Sequence, residues 1–225
     1  MKLGLALGGG GARAAAHIGV LMEFERLAIK PDLIVGTSAG ALIGLLLSYG
    51  LKPDQMKELF EQFGFTRLFS FNTTTPAITT PEKFSYMLEN LISRPTFDDL
   101  AIPLAMVATN LVNKQEVVLD EGDVTTALQA SMAYPILFPP VEREGLILVD
   151  GGLVNQVPFD VARARGATKV IAVNLGKAAP FGTEVPLLKQ GNLFERMLNA
   201  TKRRPTLQIL TAVSDVITSR AVQSR

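Results

Sequence analysis

Apolar residues fill Leu3 to Leu7 without a break and stop at four glycines, Gly8 to Gly11. A run of that length, bounded by turn residues, reads as a strand buried on both faces. From about Ala12 to Leu27 the pattern changes to a helical one, with Ile18, Leu21 and Met22 set against Glu25. Asp32 to Thr37 is a second apolar strand, and Ala39 to Tyr49 a strongly apolar helix that ends at Gly50. Pro53 opens a further helix over Asp54 to Gln62. Leu104 to Thr109 and Gln115 to Leu119 read as strands, Val124 to Tyr134 as a helix and Leu146 to Val149 as a strand. Val157 to Ala164 is then a helix stopped by Gly166, and Lys169 to Leu175 a last strand.

Strands that alternate with helices in this way predict an α/β fold, a three-layer α/β/α domain with a mostly parallel central sheet over residues 1–176. Two segments depart from the alternation. Phe60, Phe63, Phe65, Phe69 and Phe71 crowd together ahead of a Thr/Pro-rich stretch. The expectation is a lid-like insertion at about 60–81, with the rings in core and lid packing rather than in a membrane anchor. Residues 177–225 form a loop and helical extension of the same domain. Its helix, from about Thr206 to Val222, carries Leu210, Val213, Val216 and Ile217 on one side. Nothing follows to cover that stripe, so self-association through it is expected.

Length and composition narrow the function. With 225 residues and 48% hydrophobic content the chain can bury a large core as one domain. The 22 Lys and Arg nearly balance the 21 Asp and Glu, and Lys202-Arg203-Arg204 is too short for a basic stripe, so no nucleic-acid partner is expected. There is no cysteine, which removes disulfides, zinc thiolates and a Cys nucleophile, and fits a reducing, cytoplasmic setting. One histidine, His17, excludes a His-rich metal site, and no acidic cluster has calcium spacing. Neither a metal nor another cofactor is therefore expected. The N-terminal run gives way to glycines and then Arg13, unlike a cleavable leader. Ala39 to Leu47 is too short to cross a bilayer, which takes about 20 residues. A soluble or at most peripheral protein is expected.

Three motifs carry chemistry. Gly36-Thr37-Ser38-Ala39-Gly40 lies between an apolar strand and an apolar helix, the setting of a nucleophile elbow. Glycines permit the sharp turn that projects the Ser38 hydroxyl at a helix N-terminus, where the dipole favours negative charge. Gly8-Gly9-Gly10-Gly11-Ala12-Arg13 also links a strand to a helix. It suits an oxyanion hole built from backbone N–H groups. A dinucleotide fingerprint would need an acidic residue ending the second strand, but Asp32 precedes that strand, and no Gly-Lys-Ser/Thr follows for a P-loop. Asp150-Gly151-Gly152 closes the strand at 146–149. An isolated D-G-G is usually an Asp-capped turn. Here it falls on the sheet edge that carries Ser38, where apolar surroundings would raise its pKa toward that of a usable base.

Taken in this order, the motifs resemble the patatin-like phospholipase family: the G-G-G-x-R loop (Gly9, Gly10, Gly11, Ala12, Arg13), the G-x-S-x-G elbow and the D-G-G at Asp150. Ala15 to Leu21 resembles the family's helix after the glycine loop, Ala130-Ser131 and Phe138 to Val141 its segment before the aspartate, and Asn155 to Leu175 its segment after. The resemblance covers most of residues 3–176. It implies a Ser38–Asp150 dyad in place of a triad, an oxyanion hole from Gly9, Gly10 and Gly11, and hydrolysis of lipid esters. It further implies supporting roles for Arg13, Gly36, Gly40, Gly151 and Gly152, and peripheral contact with a membrane. Ala14 stands where the family's loop usually has Gly, which bears on helix packing. The family's chains also usually continue past the last helix with a further strand and helix. Two alternatives stay open: an acyltransferase that uses the same nucleophile, and a catalytically weak lipid-binding regulatory or adaptor protein. A malonyl-transacylase type of chemistry would need a histidine downstream of Ser38, and there is none.

Overall fold

The computed structural model describes residues 1–63, 86, 88–89, 91–135 and 138–176. The calls made above on Phe65, Phe69 and Phe71, on the Thr/Pro-rich stretch and on residues 177–225 lie outside them. Within them, the chain order is β1 (Leu3–Leu7), α1 (Ala15–Arg26), β2 (Leu33–Thr37), α2 (Ala39–Tyr49), α3 (Pro53–Phe63), β3 (Leu104–Asn110), β4 (Glu116–Leu119), α4 (Val124–Met132), β5 (Val141–Arg143), β6 (Leu146–Asp150), α5 (Phe159–Ala164) and β7 (Lys169–Val173).

Local chemistry explains where these elements begin and end. The helix expected from Ala12 starts at Ala15, because Gly11–Ala14 forms a 3-10 turn that carries the glycine loop into α1. α5 starts two residues later than expected. Pro158 disfavours helical backbone at Val157, and Pro158 itself is the N-cap. α4 stops at Met132, ahead of Tyr134-Pro135, for the same reason. The Asp123 carboxylate caps its other end by accepting from Thr126 N–H at 2.6 Å. The three-residue strand β5 was not anticipated; it pairs with β6 in a hairpin turned by Glu144-Gly145, both at positive φ.

Strands β7, β1, β2 and β3 run parallel, β4 and β6 pair antiparallel with β3, and β5 pairs antiparallel with β6. Strand β3 is the branch point. β4 pairs with Met106 to Thr109 and so overlaps both other partners of β3. It therefore occupies one edge, and β2 and β6 must share the other, end to end. β2 ends with Thr37 beside Val107, and β6, running the opposite way, ends with Asp150 beside Ala108. Two chain segments far apart in sequence thus terminate against each other on neighbouring residues of β3.

The strands alternate their side chains between two cores. Leu5, Leu7, Ile34, Leu104, Met106 and Leu148 pack on one face against α1, α2, α3 and α4. Leu33, Val35, Ala105 and Val107 pack on the other face against Val161 and Ala162 of α5. This is the three-layer α/β/α arrangement. Helix α2 is buried almost all round, as its unbroken apolar sequence requires. Phe60 of the phenylalanine cluster lies buried in the larger core. Among the described residues, no helix is long and apolar enough to cross a membrane.

Candidate active site

Ser38 sits where β2 ends and α2 begins, with φ 54° and ψ −123°. Side-chain-bearing residues avoid that conformation, at a cost on the order of 1–3 kcal/mol, so its neighbours must hold it. Three contacts do so. The Ser38 carbonyl accepts from Ala41 N–H at 2.9 Å and Leu42 N–H at 3.2 Å, the first turn of α2. The Ser38 N–H donates to the Ser131 hydroxyl at 2.9 Å, and that hydroxyl, fully buried, donates onward to the Val107 carbonyl at 2.7 Å.

The elbow's glycines are needed for space. A Cβ on Gly40 would collide with the Leu7 carbonyl of β1, and one on Gly36 would lie 2.6 Å from the Ala41 nitrogen. The turn is thus pressed against both β1 and the first turn of its own helix. Gly151 is similarly confined, because a Cβ there would strike the Val107 carbonyl.

The end-to-end meeting of β2 and β6 brings Ser38 to Asp150. Ser38 Oγ donates to Asp150 Oδ2 at 2.6 Å. The other carboxylate oxygen, Oδ1, accepts from Gly152 N–H at 2.7 Å, and Thr109 Oγ1 anchors the Asp150 carbonyl at 2.8 Å. Asp150 is only 3% exposed. Burial raises its pKa from 3.8 to about 6, although the hydrogen bonds from Ser38 and Gly152 pull it down. The carboxylate is therefore ionised at neutral pH and is a stronger base than an exposed aspartate.

The glycine loop reaches the same place from β1. Gly8 N–H donates to the Val173 carbonyl and Gly9 N–H to the Gln156 carbonyl, both at 3.0 Å. Gly9 was expected in the oxyanion hole with Gly10 and Gly11; its N–H instead donates to the Gln156 carbonyl, whereas the N–H groups of Gly10 and Gly11 meet no partner among the described residues. A Cβ built on Gly9 would lie 3.4 Å from the Ser38 Cβ, which puts the loop beside Ser38. Arg13 is exposed at the loop's far end, and its Nε donates to the Gly10 carbonyl at a long 3.4 Å.

His17 lies within α1 and is fully buried. Its Nε2 is 2.8 Å from the Gly8 carbonyl, which can only accept, so Nε2 carries the proton. Nδ1 has no partner. Desolvation lowers the pKa of the ring, and the Gly8 bond opposes this. His17 is thus a neutral residue that supports the loop, bonded to neither Ser38 nor Asp150.

Sequence reasoning singled out Ser38, Asp150 and the glycines, but it gave no role of their own to several residues that hold them. Ser131 fixes the Ser38 amide. Gln156 binds Gly9 twice, since its Nε2 also donates to the Gly9 carbonyl at 2.6 Å. Thr37 Oγ1 donates to the Asn155 carbonyl at 2.9 Å, tying the elbow to the segment after Asp150. Asn155 Nδ2 in turn bridges Glu116 and Asp160, at 2.7 Å and 2.8 Å. Single serine, glutamine and asparagine residues carry no periodic signal, and apart from Asp160, close to Asn155 in the chain, the partners here are more than 20 residues away. Among the described residues, no group of three or more His, Asp or Glu side chains is arranged to hold a metal.

Residues 5–163 match the family model described as patatin-like phospholipase. Among curated proteins, the chain is 34% identical over 188 residues to lysophospholipase NTE1 of Mycosarcoma maydis, which covers 78% of this chain and 10% of that protein. It is 30% identical over 182 residues to human patatin-like phospholipase domain-containing protein 6, covering 77% of this chain and 13% of the relative. An uncharacterised NTE family protein of Mycobacterium bovis is 28% identical over 214 residues, 92% of this chain and 37% of that one. The chain thus spans well under half the length of these relatives. Among solved structures, VipD from Legionella pneumophila superposes with a TM-score of 0.51 at 16% identity, over 68% of this chain and 46% of VipD; the likeness is one of fold.

Proposed function

Because this chain belongs to the patatin-like phospholipase family, we propose that it is a serine-dependent lipid acyl hydrolase that works through Ser38 and Asp150. The observation that carries the proposal is the 2.6 Å hydrogen bond from Ser38 Oγ, in its strained elbow, to a buried carboxylate. In this reading Asp150 Oδ2 takes the Ser38 proton while Oγ attacks the ester carbonyl. The N–H groups of Gly10 and Gly11 receive the developing oxyanion, each contributing roughly 2.7–4 kcal/mol in the transition state. The tetrahedral adduct collapses, Asp150 returns its proton to the departing alkoxide, and an acyl group remains on Ser38. Asp150 then deprotonates a water that attacks the acyl-enzyme, and as this second adduct collapses Asp150 returns the proton to Ser38 Oγ and the fatty acid leaves.

The elevated pKa serves both halves of this cycle. A base with a pKa of about 6 is ionised at neutral pH, yet as an acid it can return the proton. It also places the acid limb of kcat/KM near pH 6. Neutral His17, occupied by the Gly8 carbonyl, leaves Asp150 as the base. The substrate class is (lyso)phospholipids or acylglycerols, met at a membrane surface. Support for it comes from the family and from a relative named as a lysophospholipase.

The test is covalent labelling. A fluorophosphonate should modify the protein, peptide mapping should place the adduct on Ser38, and Ser38→Ala should neither label nor hydrolyse lysophospholipids or p-nitrophenyl esters. Labelling that persists in Ser38→Ala refutes the nucleophile assignment.

A further inference from the structure

We infer that Gln156 is a positioning residue which aims the oxyanion donor Gly10, by gripping the opposite end of the peptide plane to which that N–H belongs. The inference rests on the oxyanion role proposed above for Gly10 and Gly11.

A peptide unit is planar and trans, so the carbonyl of one residue and the N–H of the next point in opposite directions. Whatever holds the carbonyl therefore fixes where the following N–H points. In the glycine loop each of three successive carbonyls is held by a different side chain. The Gly8 carbonyl accepts from His17 Nε2 at 2.8 Å, the Gly9 carbonyl from Gln156 Nε2 at 2.6 Å and the Gly10 carbonyl from Arg13 Nε at 3.4 Å. The first plane carries the Gly9 N–H, which is turned into the Gln156 carbonyl and lost to catalysis. The second plane carries the Gly10 N–H. Among the described residues no bond restrains that N–H directly, so the Gln156 amide is the contact that sets its direction. Glycine backbone is otherwise the freest to rotate, and a donor that wanders loses most of its value in the transition state.

The surroundings of Gln156 are arranged for this reach. Gln156 Oε1 lies so close to Gly152 that a Cβ at residue 152 would collide with it. The glycine of the D-G-G turn thus leaves room for the amide to pass from the Asp150 turn to the Gly9 carbonyl. The side chain ties the turn that supplies the base to the loop that supplies the oxyanion donors, alongside the Gly9–Gln156 backbone bond.

The discriminating comparison is between two unbranched side chains of similar reach. Gln156→Met fills the same space without a donor, and Gln156→Lys restores an N–H donor for the Gly9 carbonyl. In the purified full chain, Gln156→Met should lower kcat for a p-nitrophenyl ester about tenfold, a fraction of the loss for a donor removed outright, with KM within about twofold. Affinity for a phenylboronic acid, whose serine adduct places an oxygen among the same donors, should fall by the same factor. Gln156→Lys should recover most of both. Thermal midpoints separate these effects from unfolding. Equal losses in the Met and Lys variants, or a change confined to KM, overturn the positioning role while labelling at Ser38 leaves the hydrolase reading standing. Ester hydrolysis that survives in Ser38→Ala refutes the reading beneath it.

Discussion

Asp150 is kept ionised in a site that resists the charge, so its replacement by asparagine should abolish turnover and at the same time stabilise the fold. The carboxylate is 3% exposed, and burial raises its pKa from 3.8 to about 6. A raised carboxylate pKa means that the unfolded chain releases its proton first as pH rises. Stability linked to Asp150 is therefore fully present below pH 3.8 and lost progressively as pH climbs through 6. The loss amounts to about 3 kcal/mol at pH 8 and about 1 kcal/mol at pH 4.5. Asparagine has the same shape, can accept from Gly152 N–H and can donate to Ser38 Oγ, so it escapes the penalty without orphaning either partner. Urea titrations at the two pH values measure this. With an m-value near 3 kcal/mol per molar, the Asp150→Asn midpoint should exceed the wild-type midpoint by roughly 1 M at pH 8 and by about a third of that at pH 4.5. Ester hydrolysis should be abolished at both. A variant no more stable than wild type at pH 8, or a gap that does not widen with pH, would show that the carboxylate is solvated and its pKa ordinary.

Two further substitutions probe the scaffold. Gly40→Ala drives a Cβ into the backbone carbonyl of Leu7, which no rotamer change relieves. It should cost several kcal/mol and be seen as a large drop in thermal midpoint or as insoluble expression; wild-type stability would mean that α2 sits farther from β1. His17→Ala orphans the Gly8 carbonyl and leaves a buried void, so it should destabilise by about 2–4 kcal/mol. His17→Gln, which can still donate, should lose less, and folded molecules of both should hydrolyse within about tenfold of wild type. Folded His17 variants as inactive as Ser38→Ala would make the histidine the base.

The local signals were strong where the chain speaks to itself. Apolar runs ending in glycine marked β1, β2 and β6, because a strand buried on both faces needs nothing but apolar residues and a stop. The motif around Ser38 marked the elbow, because only glycine fits at 36 and 40 against neighbours already implied by strand and helix. Boundaries were misjudged where a proline or a 3-10 turn a few residues away shifted the helix start, as at Phe159 and Ala15. What no local signal contains is the shared edge of β3. β2 and β6 abut there at Val107 and Ala108, and this alone turns Ser38 and Asp150, 112 residues apart in the chain, into a pair at 2.6 Å. The same folding decided which glycine N–H is engaged. Gly9, Gly10 and Gly11 are identical in sequence, yet the Gln156 carbonyl claims only the first. Strand and turn propensities are short-range preferences of the backbone, and the sequence by itself determines them. Pairing across a sheet and the satisfaction of each buried polar group depend on which distant segments arrive together, and only the tertiary structure decides that.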